Sequence, residues 1–314
     1  MSSQQGTAAW GSVTSPVPRE GVRHRRRRSY VRALLLLPAF LSLAFVTVYP
    51  LGFTVYASMT DWNLFNYGAP ISFVGLANWA NLWRDPNFLI AFKNTAVFAL
   101  VSAPLTYVVG LMVAVALDTA TVGKRFFRVL FWLPLMLSSV LVTLIVGRMM
   151  FDPFVGPVTA MFDRIGLPEV LWLADPRTAM ATIILLQVWW GTAYTIMLLL
   201  AALESLPPEL QEAARVDGAG EWRAFWQITF PLLLPVSAAI FLIQVVDAWK
   251  VFDIINVLTG GGPGTATQSI SLLVYQQGVQ GGNISYASAM AWALTVVIAL
   301  VAGMLYTLSR RGAH

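Results

Sequence analysis

Ionisable side chains are rare in the apolar part of this chain, and three of them lie close together near residue 250. Asp247, Lys250 and Asp253 follow one another at intervals of three residues, so neighbouring pairs share one side of a helix. Such groups are costly inside a membrane and often mark a path for ions or solutes. Two interpretations are open: a polar lining or outer gate of such a path, or a mutually neutralised set that fixes helix packing. The first interpretation includes three further residues, Gln244, Trp249 and Asn256.

Aromatic and hydrogen-bonding side chains cluster in a second stretch of the chain. Gln187, Trp190 and Tyr194 are accompanied there by Trp189 and Thr192. Proteins bind sugars with aromatic faces and hydrogen-bonding groups, because a pyranose ring has an apolar face and a polar rim. The stretch is therefore a candidate wall of a sugar-binding cavity. The alternative is ordinary helix packing or an aromatic belt at the membrane surface.

The sequence lacks the cysteine and the internal histidine that many catalytic centres use. It has no cysteine, and its two histidines, His24 and His314, lie in the terminal tails. The phosphate-binding pattern GxxxxGK[ST] is missing, because the glycine-rich segment 258–264 lacks the lysine and the hydroxyl residue that follows it. That segment is predicted to be a compact loop. We predict that the chain binds no cofactor or metal of its own and is not an enzyme.

The elements that position these residues are predicted to be membrane-spanning helices. Hydrophobic residues make up 57% of the chain and charged residues only 11%, whereas a soluble domain carries about 25% charged residues. A helix needs about 20 apolar residues to cross the hydrocarbon core. The stretches that qualify are Ala33–Ser58, Asn94–Leu117, Val129–Gly147, Thr178–Leu203, Ala224–Val246 and Ile284–Ser309. The predicted fold class is an all-α membrane protein with six transmembrane helices.

The distribution of basic residues predicts the orientation of these helices. Residues 1–30 form a predicted disordered basic tail, and residues 31–314 form the membrane domain. With both termini in the cytoplasm, most of the 20 basic residues lie on the cytoplasmic side, as the positive-inside rule requires. The tail is interpreted as an anchor for the first span, the alternative being a contact with anionic lipid. This bias explains the net charge of +5, so no nucleic-acid partner is expected.

The loop between the predicted fourth and fifth spans, residues 204–223, has the pattern of a short amphipathic helix. Pro207 and Pro208 favour its start, and Gly218 and Gly220 favour its end. Acidic residues outnumber arginines in this loop, which is unfavourable for a helix lying on a membrane surface. Packing against the protein's own loops and docking on a partner protein both stay open.

The same loop resembles the EAA signature of ABC-importer permeases. The matching residues are Glu212-Ala213-Ala214, then Asp217-Gly218-Ala219, then Ile228-Thr229-Phe230-Pro231. Phe230 stands where leucine is usual in that family, and it keeps the site apolar. Two further segments are similar to the maltose-type, carbohydrate-uptake branch: Tyr49-Pro50 and Leu258-Thr259-Gly260-Gly261-Gly262-Pro263.

The resemblance implies a type I ABC-importer permease with a cytoplasmic coupling helix, in a bacterial inner membrane. In that family the loop docks on the ATP-binding subunit, and the implied docking residues are Glu212, Ala213, Ala214, Arg215, Asp217 and Gly218. The implied partners are a second homologous permease, two ATP-binding cassette subunits, an extracytoplasmic substrate-binding protein and the lipid bilayer. ATP and magnesium would bind to the ATPase subunits, while this chain would form half of the translocation path.

Two functions of other classes compete with this interpretation. A secondary transporter driven by an ion gradient needs carboxylates near the bilayer midplane, and the predicted spans carry none there. A membrane scaffold without a transport role is the second alternative. For an importer, the cargo would be an oligosaccharide, a disaccharide, a polyol or a glycerol phosphate. The sparse charge of the spans favours a neutral sugar among these.

Overall fold

The computed structural model describes residues 21–168 and 170–311, and most of them are helical. The helices are α1 (Gly21–Ser58), α2 (Ala77–Leu82), α3 (Pro86–Thr119), α4 (Lys124–Trp132), α5 (Ser139–Val142), α6 (Pro157–Arg164), α7 (Pro176–Glu204), α8 (Pro208–Val216), α9 (Glu221–Ala224), α10 (Phe230–Trp249), α11 (Asp253–Leu258), α12 (Ile270–Tyr275) and α13 (Ile284–Arg311). Short 3-10 or π-helical turns follow α4, α5, α9 and α12, over Leu133–Met136, Thr143–Met149, Phe225–Thr229 and Gln276–Gln280. The predicted all-α fold class is confirmed.

Five helices are long and apolar enough to cross a membrane, and a bent pair of helices adds a sixth candidate. The five are Leu35–Ser58, Pro86–Thr119, Pro176–Glu204, Glu221–Trp249 and Ile284–Ser309. Three of them begin earlier than predicted, and two of these are capped by Asp85 and Asp175, which accept hydrogen bonds from the N–H groups of Asn87 and Arg177 at 2.9 and 2.8 Å. Each cap is followed by a proline, which suits the first turn of a helix.

The third predicted span, Val129–Gly147, is sharply bent and is made of two helical segments. Its two halves, Lys124–Met136 and Ser139–Met149, meet at an angle of 101°. Pro134 lies just before the bend and has no N–H to donate to the preceding turn. Ser138 then starts the second half by accepting a hydrogen bond from the N–H of Leu141 at 3.3 Å. Proline and a capping serine therefore divide one apolar run into two helical segments.

The chain divides into two compact units, with the boundary between Phe53 and Thr54 inside α1. In the first unit the apolar side chains from Leu35 onward are exposed, as a lipid-facing helix requires. Helix α1 begins at Gly21, inside the predicted basic tail, where the arginines are good helix formers. Residues 1–20 of the predicted tail lie outside the described residues.

The second unit is built on a central trio of long helices. Helix α3 packs along α7, and α10 packs against both of them. Buried residues such as Phe98, Ile183 and Leu199 fill the space between these helices. Helices α3 and α7 approach closely where Gly110 meets Thr195, since a Cβ atom on Gly110 would lie 2.5 Å from the Thr195 Cγ2. A small residue at this position permits the close crossing.

The two ends of this unit are named here after their short helices. The α8 end carries the end of α3, the beginning of α4 and the end of α7, which are joined by ion pairs. The α11 end carries the beginning of α3 and the segment 258–269, where the Asn94 amide donates to the carbonyl oxygens of Thr265 and Gln268 at 2.9 and 3.1 Å. The predicted compact loop is confirmed there, because Thr267 is fully buried and donates to the Gly262 carbonyl oxygen at 2.6 Å.

Candidate functional site

A cavity of about 450 Å³ lies among α7, α10, α11 and the bent third span. Its walls are Leu135, Ser139, Val142, Thr143, Gln187, Trp190, Gly191, Tyr194, Ile243, Gln244, Asp247, Lys250, Val251, Phe252, Asp253 and Ile254. The α7 residues come from the middle of that helix, and the α10 residues come from its last third. The cavity therefore reaches from the middle of the helical unit towards the α11 end.

The structure brings together most of the residues that the sequence nominated for a substrate path. The nominated residues that line the cavity are Gln187, Trp190, Tyr194, Gln244, Asp247, Lys250 and Asp253. They come from two sequence stretches more than 50 residues apart, which were nominated for different reasons. Their meeting at one cavity joins the aromatic stretch and the charged stretch into one candidate site.

Two nominated residues, Trp249 and Asn256, do not line this cavity. Trp249 is buried, and its ring lies 5.9 Å from the ring of Phe92 on α3. Asn256 is an exposed residue of α11 and is not among the cavity walls. The reason is an interruption of the helix. Helix α10 ends at Trp249 and α11 starts at Asp253, so the spacing of a single helix does not continue through this region.

The charged residues of the cavity are not equally paired. Lys250 Nζ lies 2.9 Å from Asp247 Oδ1, and both side chains are more than half exposed. The Asp253 carboxylate instead accepts a hydrogen bond from the Ser139 hydroxyl at 2.6 Å and belongs to none of the ion pairs found in the described part of the chain. One lysine against two aspartates leaves this wall with an excess of negative charge.

The deeper wall contains Gln244, whose side-chain amide is hydrogen-bonded, and Trp190, whose indole N–H is not. Gln244 is 7% exposed, and its Nε2 donates to Thr195 Oγ1 at 2.8 Å, which joins α10 to α7. The Nε1 of Trp190 is buried and has no hydrogen-bond partner within residues 21–168 and 170–311. Buried polar groups are normally paired, so this indole N–H lacks the partner that such a group usually has.

The sequence argument missed the contribution of the bent third span to this cavity. Leu135, Ser139, Val142 and Thr143 all line it. The available signal was Pro134 followed by two serines within an apolar run, which marks a break rather than a continuous span. The side chains of this span were therefore not considered as part of a site.

The second predicted site, in loop 204–223, forms the short helix expected from its sequence. Helix α8 starts at Pro208 after Pro207 and ends at Val216, and Gly218 then adopts a φ of +76°. This left-handed conformation is readily adopted only by glycine. The N–H of Ala219 donates to the Ala214 carbonyl oxygen at 2.9 Å, which closes the end of the helix. The predicted start and end of this element are confirmed.

The predicted docking residues are mostly accessible at the surface of α8 and the turn after it. The exposed ones are Glu212, Ala213, Arg215, Asp217 and Gly218, whereas Ala214 is buried. Leu210 and Val216 also expose apolar surface, Val216 to 87%. This end of the protein therefore presents a small surface of mixed charge with apolar centres, which is typical of protein contacts.

The part of the chain that the structure describes contains no group of three or more histidine, cysteine, aspartate or glutamate residues that could hold a metal ion. The cavity and helix α8 therefore remain the two candidate sites, one for a small molecule and one for a protein.

Known proteins resemble this chain across both candidate sites. The family described as binding-protein-dependent transport system inner membrane component matches residues 106–313. The chain is 34% identical over 270 residues to a probable ABC transporter permease protein of Pyrococcus horikoshii, covering 85% of this chain and 91% of that relative. It is 33% identical over 279 residues to the multiple sugar-binding transport system permease protein of Streptococcus mutans, covering 88% and 94% of the two chains.

The fold is also similar to that of a solved membrane transporter. A chain in the crystal structure of a bacterial alginate ABC transporter, in complex with alginate pentasaccharide-bound periplasmic protein, gives a TM-score of 0.81 at 24% identity. The match covers 94% of this chain and 99% of that chain.

Proposed function

This chain belongs to the family of binding-protein-dependent transport system inner membrane components, and from that premise we propose the cargo, the docking site and the partners of the permease. The family decides among the functions that the sequence left open: the chain is a permease of an ABC importer, and it is not the subunit that hydrolyses ATP. The transporter driven by an ion gradient and the scaffold are thereby set aside.

The proposed cargo is a neutral carbohydrate, and the cavity carries this proposal. Trp190 and Tyr194 supply aromatic surface, and Gln187 with the unpaired Trp190 Nε1 supplies hydrogen-bonding groups. These are the groups that a pyranose ring requires. The excess negative charge of Asp247, Lys250 and Asp253 repels an anionic cargo, which favours a neutral one. The multiple sugar-binding system that contains the Streptococcus mutans relative supports a carbohydrate.

The Trp190→Phe variant tests the cargo proposal, because it keeps an aromatic face and removes the indole N–H. In cells that contain the complete importer, we expect uptake of a neutral oligosaccharide to fall roughly tenfold, the loss that corresponds to one hydrogen bond. Trp189→Phe is the matched control, since Trp189 is exposed and does not line the cavity. Uptake is measured with radiolabelled maltotriose, an acidic oligosaccharide and glycerol 3-phosphate. Saturable uptake of the acidic compounds alone would contradict a neutral cargo.

The proposed docking site for the ATPase is the exposed surface of α8 and the turn that follows it. It consists of Glu212, Ala213, Arg215, Asp217 and Gly218, with Ala214 supporting them from the buried side. The exposed apolar centres Leu210 and Val216 support docking over a purely internal role, because an internally packed helix would cover them.

The Ala213→Trp variant tests this docking site, because Ala213 is exposed and a large side chain there leaves the core of the permease untouched. We expect the amount of ATPase that co-purifies with the permease to fall roughly tenfold, as when the centre of a protein interface is disrupted. Ala69→Trp, at an exposed alanine of the loop before α2, is the control and retains the ATPase. Undiminished co-purification with Ala213→Trp would show that the ATPase binds elsewhere.

The proposed assembly contains one copy of this chain, a second homologous permease, two ATPase subunits that bind ATP and magnesium, and an extracytoplasmic substrate-binding protein. The family description, which names binding-protein-dependent transport, supports the last partner. The proposed orientation places both termini and α8 in the cytoplasm, in agreement with the distribution of basic residues.

A further inference from the structure

Four charged side chains form an ion cluster at the α8 end of the protein. Glu204, the last residue of α7, pairs with Arg128 and Lys124 of α4; the distance from Lys124 Nζ to Glu204 Oε1 is 3.4 Å. Lys124 Nζ also lies 3.5 Å from Asp118 Oδ1, near the end of α3. The cluster therefore joins the ends of three helices through two carboxylates and two cations.

The position of Glu204 connects this cluster with helix α8. Only Ser205, Leu206 and Pro207 separate Glu204 from the start of α8 at Pro208. This connection is stiff, because Ser205 Oγ donates to the Ala202 carbonyl oxygen at 2.7 Å and Pro207 has a fixed φ near −60°. A displacement of α8 therefore also displaces Glu204, which lies only a few residues before it.

The other side of the cluster belongs to the span that lines the cavity. Arg128 is placed by its contact with Trp132, whose ring centroid lies 5.7 Å from the guanidinium carbon. The same span continues through the bend to Leu135 and Ser139, both of which are cavity walls. Helix α4 also packs against α7. One continuous segment thus runs from the ion cluster to the cavity.

The exposure of the cluster suits a contact that opens and closes. The side chains of Arg128 and Glu204 are 29% and 41% exposed, so neither charge is fully desolvated. Partly exposed ion pairs are weak and sensitive to salt, unlike buried pairs, whose separation leaves an uncompensated charge. The cluster can therefore break and form again during a transport cycle without unfolding the helix ends.

We propose that Glu204 is a positioning residue that transmits the movement of α8 to the bent third span through its ion pairs with Arg128 and Lys124. This proposal rests on the proposed docking of the ATPase at α8. The carboxylate contacts neither cargo nor nucleotide. It couples the ATPase-docking helix to the cavity, because it holds the segment before α8 against the beginning of α4. Movement of α8 therefore changes the geometry of the cavity.

The experiment uses the complete importer, with both permeases, the ATPases and the binding protein, reconstituted in proteoliposomes. The measured quantity is the number of ATP molecules hydrolysed for each molecule of maltotriose or other neutral sugar transported. Glu204→Gln keeps the size of the side chain and removes its charge. We expect ATP hydrolysis to stay within about twofold of the wild-type rate and transport to fall roughly five- to tenfold, within the range of typical coupling between sites.

Three further variants separate coupling from simple structural damage. Glu204→Asp restores the charge and recovers most of the transport. Asp163→Asn, at an exposed carboxylate of α6 near the opposite end, leaves the ratio of ATP to sugar unchanged. Arg128→Gln combined with Glu204→Gln is no worse than Glu204→Gln alone, because both substitutions remove the same contact.

The dependence of the ATP-to-sugar ratio on salt concentration is a further test, because a purely structural role of Glu204 would not change that ratio. Raising the ionic strength weakens the ion pairs of the wild-type protein, so the wild-type ratio of ATP to sugar rises towards that of Glu204→Gln, which changes little. An unchanged ratio in Glu204→Gln would overturn the proposal. Loss of the ATPase from the purified Glu204→Gln complex would also overturn it, because Glu204 would then belong to assembly. Failure of the docking proposal is recognised separately, since Ala213→Trp would then retain the ATPase.

Discussion

At the scale of single residues, the pKa of the Asp61 carboxyl group is set by hydrogen bonds from Ser72, in the loop after α1. It accepts hydrogen bonds from the Ser72 hydroxyl at 2.5 Å and from the Ser72 N–H at 2.6 Å. These bonds stabilise the ionised form and lower the pKa of Asp61 below its usual value. The contribution of this contact to the stability of the loop is therefore present above about pH 4, where the unfolded carboxyl is ionised, and it is lost as the pH falls through the lower folded value.

Ser72→Ala tests this pH dependence. We expect the pKa of Asp61 to rise towards its usual value, because the variant loses the hydroxyl bond and keeps only the backbone bond. The measurement is a carbon-13 NMR titration of labelled aspartate carboxyl groups in detergent. Ser205→Ala removes a hydroxyl at the opposite end, bonded to the Ala202 carbonyl oxygen, and should leave the Asp61 midpoint where it is. An Asp61 midpoint that Ser72→Ala does not move would refute the assigned cause.

Residue chemistry in the cavity was partly predictable from local sequence. Trp190 was recognisable because aromatic and hydrogen-bonding side chains cluster around it, and Asp247 because ionisable side chains are rare within apolar stretches. Trp249 had the same local signals and yet packs against Phe92, because the direction of a side chain depends on which helix covers it. Residue type thus indicated which side chains could serve in a site, and the packing of α3 excluded one of them.

At the scale of elements, the close crossing of α3 and α7 depends on Gly110. A Cβ atom at this position would lie 2.5 Å from Thr195 Cγ2 and 2.7 Å from Thr195 Cβ, so the helices must separate to accept alanine. We expect Gly110→Ala to lower the free energy of unfolding by about 1–3 kcal/mol, the usual cost of overpacking a core. Thermal unfolding of the purified protein in detergent measures the change.

Gly303 on α13 offers the matched control for this prediction. Apart from its own stretch of helix, no atom of the described residues lies within 4 Å of the position that its Cβ would take. Gly303→Ala should therefore be neutral, or stabilise by roughly 0.5–1 kcal/mol through the better helix propensity of alanine. Equal unfolding temperatures for Gly110→Ala and Gly303→Ala would show that the crossing tolerates a methyl group.

Elements whose ends are marked by proline or glycine were predictable from the sequence, and elements shaped by packing were not. Helix α8 lies between Pro207 and Gly218, whose backbone preferences are properties of the residues themselves, so its ends agree with the expectation. The bend of the third span was missed although Pro134 was visible in the sequence. A membrane helix can absorb a proline as a mild kink, and the local sequence does not determine whether neighbours favour the kink or a full break.

At the scale of the whole molecule, the orientation in the membrane makes a direct prediction. The chain contains no cysteine, so single cysteines can be introduced without any background. Tyr67, in the loop at the α11 end, is 91% exposed, and Val122, between α3 and α4 at the α8 end, is 84% exposed. With α8 in the cytoplasm, a membrane-impermeant maleimide should label Tyr67→Cys in intact spheroplasts and should label Val122→Cys only after the membrane is opened.

The labelling is measured as a mass shift of the purified protein, and permeabilised spheroplasts provide the control, because both variants should react there. Labelling of Val122→Cys before permeabilisation, with Tyr67→Cys protected, would reverse the proposed orientation. It would also place α8 on the side of the membrane where no ATP is available, and the docking proposal would fail with it.

The sequence by itself determined the membrane class, the approximate position of the spans, the ends of α8 and the family resemblance of its loop. These are local properties: apolar runs long enough to cross a bilayer, and prolines and glycines that set the backbone around them. Only the tertiary structure decided that Trp190 and Asp253 face one cavity and that Glu204 meets Arg128 and Lys124. Such contacts join helices far apart in the chain, and they follow from the crossing of α3, α7 and α10 and from the bend of the third span, which no single stretch of sequence contains.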